Sequence, residues 1–102
     1  MLFSITLSYL RPPADIQAHL DAHKAWLVRH IQAGSILCAG PLQNGQGGFI
    51  LAHGEGLSDI EGMIAEDPFD RHGLASFAIQ ACDPAIRAGD FPARWAAGAK
   101  SA

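Results

Sequence analysis

Residues 35–53 read SILCAGPLQNGQGGFILAH. Two apolar runs, Ser35 to Leu42 and Phe49 to His53, flank the stretch Asn44-Gly45-Gln46-Gly47-Gly48. Glycine and asparagine tolerate the positive φ that tight connections need, so the segment predicts a β-hairpin. Gly40-Pro41 stops its first strand, because proline cannot donate to a strand ladder.

Outward from this hairpin, a helical segment and then an alternating one follow on each side. Upstream, Leu2 to Leu10 alternates Phe3, Ile5, Leu7 and Tyr9 against Ser4, Thr6 and Ser8, the period of a strand. Arg11-Pro12-Pro13 ends it, and Asp15 stands where a first-turn carboxylate suits a helix. That helix runs to about Ala33, with Gly34 as the closing residue in the left-handed conformation. Downstream, Ser58 and Glu61 have the S-x-x-E spacing of a capping box. The second helix carries Leu57, Ile60 and Ile64 at helical spacing and runs to about Glu66, where Asp67-Pro68-Phe69 breaks it. Leu74 to Cys82 supplies the fourth strand.

The order β-α-β-β-α-β is the ferredoxin-like pattern, an α+β fold. Right-handed crossovers place both helices on one face of a four-stranded antiparallel sheet. Residues 1–82 form this domain, and 83–102 form a C-terminal tail in which Phe91 and Trp95 imply packing. The open face is not cleanly polar, since Phe49, Leu51, Phe77 and Ile79 share one parity while Ile50, Ala52 and Ala78 share the other. A sheet apolar on both faces needs cover on both, so the expected partner is a second copy, a homodimer packed sheet to sheet.

The chain has 102 residues and a net charge of −3, with seven basic residues scattered along it. Nucleic-acid binding needs a basic stripe, which is missing, and an anionic membrane surface is disfavoured for the same reason. No apolar run approaches the ~20 residues of a membrane span, and the opening residues lack a signal-peptide pattern, so the expected location is the cytoplasm. Cys38 and Cys82 show neither CxxC nor zinc spacing. They fall on opposite sheet edges, three strand spacings or roughly 14 Å apart, too far for a disulfide within one subunit.

At 100° per residue, Ile16, Leu20, Leu27 and Ile31 span a face about 60° wide, and His23 lies only ~20° outside it. A histidine there is either a core residue satisfied by a backbone carbonyl or a group that moves protons, since imidazole titrates near neutrality. His19 and His23 share a helix face, but no third ligand accompanies them, so no metal site is expected. Asp67 is read at the C-terminal end of the second helix, where the macrodipole disfavours a carboxylate. Pro68 stiffens the turn, leaving Asp67 as a turn-former or as the partner of a cation. Gly45, Gly47 and Gly48 lie between two strands and lack the helix N-terminus that a phosphate cradle uses.

At Ala22-His23-Lys24-Ala25-Trp26-Leu27, Ala39-Gly40-Pro41, Gly47-Gly48-Phe49-Ile50-Leu51-Ala52 and Ala65-Glu66-Asp67-Pro68-Phe69, the sequence resembles the YCII-related (YciI-like) family. The resemblance covers residues 1–82 and departs at Leu20-Asp21-Ala22, where many relatives carry Arg-Pro, and at His72. It implies a dimeric α+β barrel related to muconolactone isomerase-type proteins, with a His–Asp pair that falls on His23 and Asp67. One branch of that family eliminates chloride from a chlorinated hydroxyquinol. The reading that follows is a cofactor-free, lyase- or isomerase-type enzyme acting on a small cyclic or aromatic compound. His23 would be its acid–base group, Asp67 would hold the tautomer, and Gly40, Pro41 and Phe69 would line the pocket. The alternative is a non-catalytic small-molecule-binding or dimerisation module.

Overall fold

Strand β1 (Leu2–Tyr9) and helix α1 (Pro13–Gln32) lead into β2 (Ile36–Pro41) and β3 (Gly47–His53). Helices α2 (Leu57–Ile64) and α3 (Pro68–Arg71) precede β4 (Ala75–Cys82), and the short strands β5 (Ile86–Arg87) and β6 (Lys100–Ser101) close the chain. The computed structural model describes residues 1–102. Strands β1 to β4 form an antiparallel sheet in the order β2-β3-β1-β4. This is the ferredoxin-like arrangement, in which the first strand lies between the third and the fourth.

The register assigns each face. Ile5 lies opposite Ile50 on one side and Ile79 on the other, and directly opposed residues share a face. Phe3, Ile5, Leu7, Ile36, Ile50 and Ala52 therefore point to the helices, with Phe77 and Ile79 packed at the margin of the same core. The shared parity expected for Phe49, Leu51, Phe77 and Ile79 does not hold. Phe49 and Leu51 face the open side with Ser4, Thr6, Ala78 and Gln80, because residue-number parity on β3 carries no information about β4, which follows it only after two helices.

Two glycines make the hairpin. Gly45 has φ 72°, in the left-handed region. At Gly47 a Cβ would lie 1.8 Å from the Leu7 carbonyl oxygen, so only glycine lets β3 run this close to β1.

The capping box does not form. Helix α2 begins at Leu57, with extended Gly56 (φ −157°) as its N-cap, so Ser58 already lies inside the first turn and makes no capping hydrogen bond. Ile60, Met63 and Ile64 are its buried residues, while Leu57 is exposed. On α1 the buried line runs Ile16–His23–Trp26, and Ile31 is 43% exposed. The helix is thus rolled toward Trp26, whose Nε1–H donates to the Met63 carbonyl at 3.1 Å.

Cys38 and Cys82, on the two edge strands, are free and exposed. Beyond β4 the chain folds on itself. β5 and β6 pair in parallel, and one Arg87 Nη donates to the carbonyls of Ala88, Gly89 and Phe91 at 3.1–3.2 Å. Phe91 meets Trp95 edge-to-face at 5.8 Å. No helix is long and apolar enough to cross a membrane.

Candidate active site

Asp67 follows α2 by three residues, but its role belongs to the next element. It is the N-cap of α3, with its Oδ1 accepting from the Phe69 backbone N–H at 3.0 Å and Pro68 in the first turn. Proline is pre-shaped for that position, and a carboxylate suits a helix N-terminus. The uncomfortable C-terminal placement expected from the sequence is therefore corrected, because four residues beginning with the proline form a new helix.

The same oxygen receives a second hydrogen bond. His23 Nδ1–H, 44 residues away in sequence, donates to Asp67 Oδ1 at 2.8 Å. The aspartate is fully buried and the histidine 8% exposed. With Nδ1 carrying the proton, a neutral imidazole keeps its lone pair on Nε2. Nε2 has no hydrogen-bond partner within the chain and is not sealed from solvent. Asp67 Oδ2, by contrast, is buried without a partner. An unsatisfied buried oxygen costs about 1–3 kcal/mol, a cost that packing alone gives no reason to retain.

Two aromatic rings hold the imidazole plane. Phe69 stacks on it at 4.0 Å between centroids with the planes 1° apart, and Trp26 lies at 5.7 Å and 27°. Tyr9 in turn meets Phe69 edge-to-face at 6.0 Å. The ring can therefore neither tilt nor swing away from the carboxylate without displacing buried aromatics.

His23 forms part of the wall of a cleft of about 480 Å³ between α1 and the sheet. Leu20, Lys24 and Leu27 line it from the helix, and Leu7, Tyr9, Ala39, Gly40, Pro41, Gly48, Phe49 and Ile50 from the sheet. The space exists because small residues, Ala39 and Gly48, stand on the helix-facing side of the sheet beneath the leucines. Its volume suits a small organic molecule.

Of the five predicted site residues, His23, Gly40 and Pro41 border the cleft and Asp67 lies behind the histidine. Phe69 is 1% exposed and does not line the cleft, since its ring is occupied in stacking on the imidazole. Leu20, Lys24 and Leu27 are lining residues that the sequence reading passed over. For Leu20 and Leu27, three back from His23 and four on, that spacing was the available signal for one helix face, whereas Lys24, one on, carried no such signal.

His19 stacks on His72 at 4.3 Å, and no group of three or more His, Cys, Asp or Glu side chains converges to hold a metal ion.

No protein-family model matches this chain, and no curated protein matches it in sequence. Among solved structures it is similar to 5-chloro-2-hydroxyhydroquinone dehydrochlorinase from Burkholderia phenoliruptrix AC1100, in complex with 2,5-dihydroxybenzoquinone. The TM-score is 0.64 at 23% identity, covering 82% of this chain and 95% of that one. The likeness establishes a shared fold.

Proposed function

We propose that the chain is a YciI-like, cofactor-free acid–base enzyme acting on a small cyclic or aromatic molecule, with His23 as the proton-transfer group. The observation that carries this reading is the 2.8 Å hydrogen bond from His23 Nδ1–H to a fully buried Asp67, with Nε2 left unpaired at a cleft wall. Nε2 takes a proton from a C–H or O–H of the bound molecule, and Asp67 stabilises the imidazolium that forms. In an elimination the released electron pair becomes the new double bond as the leaving group departs with its own pair. In an isomerisation the same proton is returned at another carbon.

The fold neighbour is, by its name, a dehydrochlorinase of a chlorinated hydroxyhydroquinone, which makes elimination the first chemistry to try. Gly40 and Pro41 contact the substrate from the sheet side, and Phe69 positions the base. Residues 1–82 are the catalytic unit in this reading, and 83–102 an appended tail. A second copy covers the open face around Phe49 and Leu51, giving a homodimer detectable by light scattering. The two free, exposed thiols suit a reducing cytoplasm.

The test is chloride release and absorbance change across a panel of chlorinated hydroquinones and small lactones. Wild-type protein turns over at least one compound, and His23→Gln lowers kcat/KM by roughly 10²–10⁴-fold. Silence across the panel, or a variant as fast as wild type, overturns the assignment and leaves a binding module.

A further inference from the structure

The His23 cleft does not stand alone. A second hollow of about 540 Å³ adjoins it, and Tyr9 and Leu20 belong to both walls. The near hollow is mainly apolar, whereas the far one is bordered by Arg11, Gln17, Asn44 and Gln46. No aspartate or glutamate lines either, although the chain carries ten acidic residues and is net negative.

Its cations are also unspent. Neither Arg11 nor Lys24 joins an ion pair, and the hydrogen bond Arg11 makes is to the neighbouring Leu10 carbonyl at 3.2 Å. Asn44 Oδ1 already accepts from the Gln46 backbone N–H at 2.9 Å, which leaves the amide group of this lining residue free to donate. A guanidinium fork beside neutral amide donors, with no competing carboxylate, matches the geometry of an oxyanion.

We infer that the two hollows form one groove that takes an elongated monoanion, its apolar ring seated beside His23 and its carboxylate held by Arg11 in the far hollow. This rests on the reading of the His23 cleft as the substrate site and adds the substrate's charge and polarity. Lys24 raises the potential along the near hollow without anchoring the anion.

The probe is a series of ω-phenylalkanoates, benzoate to 4-phenylbutanoate, each compared with its primary amide. Binding is followed by NMR shifts of the His23 ring and the Arg11 guanidinium. At the chain length that spans the groove, the carboxylate binds at least about 10-fold tighter than its amide, and the advantage shrinks with added salt. Arg11→Gln, an exposed substitution that leaves the core untouched, reduces the advantage to about one, while Lys24→Gln retains most of it. Equal binding of acid and amide overturns the inference, as does an advantage that survives Arg11→Gln or a series that shifts neither residue. Equilibrium binding needs no turnover. Anion selectivity without catalysis therefore removes only the proton-transfer reading, and catalysis of neutral compounds without selectivity removes only this one.

Discussion

Two side-chain hydrogen bonds join helix α1 to the segment after α2, His23 to Asp67 and Arg29 to Glu66, and they sit in opposite surroundings. The first joins side chains that are 10% and 0% exposed at 2.8 Å, the second side chains that are 60% and 56% exposed at 3.2 Å. Arg29 and Glu66 keep their hydration, so their attraction is screened and contributes about 0–1 kcal/mol. His23 and Asp67 have lost theirs: the histidine's side-chain hydrogen bond is to Asp67 alone, and Asp67 has besides it only the Phe69 backbone N–H. The comparison teaches that adjacent residues of one turn can bridge the same two elements for different reasons. The outer contact is replaceable, while the inner one is costly to half-remove and therefore needs a reason to be kept.

Several substitutions break or sharpen that contrast. His23→Leu strands a buried carboxylate and should cost about 3 kcal/mol in urea unfolding; a loss below about 1 kcal/mol would place the inner pair with the outer one. A double-mutant cycle on His23 and Asp67 should give a coupling of about 2 kcal/mol, against at most about 0.5 kcal/mol for Arg29 and Glu66. In 1 M salt the outer coupling should vanish and the inner one persist. Asp67→Asn separates charge from geometry, because the amide oxygen can still accept from Phe69 N–H and His23 Nδ1–H. Its stability should fall by only about 1 kcal/mol while turnover drops at least about 100-fold, measured by urea unfolding beside the rate assay. Smallest of all, Arg29→Gln should move stability by no more than about 0.5 kcal/mol and leave turnover alone.

The strand order was legible because a period of two and a glycine-rich turn are local signals, and Leu2–Tyr9, Gly47–His53 and Ala75–Cys82 carry them plainly. His23 stood out as a polar residue on an apolar stripe, and Asp67 as a carboxylate stiffened by Pro68. Other features were not legible in this way. Ser58 and Glu61 match a capping box in spacing, yet the helix already starts at Leu57 with extended Gly56 as its N-cap, so Ser58 lies one residue inside it. Leu20 and Leu27 look like core by periodicity, but they face a cleft, since Ala39 and Gly48 opposite them are too small to fill the gap. Phe69 reads as a pocket residue and instead stacks on the imidazole, a contact that depends on α1 and α3 meeting.

By itself, the sequence determined the order of strands and helices, the hairpin at its centre and the two residues that would be out of place in a plain core. Those depend on interactions between near neighbours in the chain, where period, turn chemistry and proline act directly. Tertiary structure alone decided which way α1 is rolled, which side chains border the cleft and that one oxygen of Asp67 serves both a helix cap and His23 Nδ1. The reason is that a helix's rotation about its axis is set by packing, here by Trp26 against Met63 and Phe69 against His23, between residues tens of positions apart.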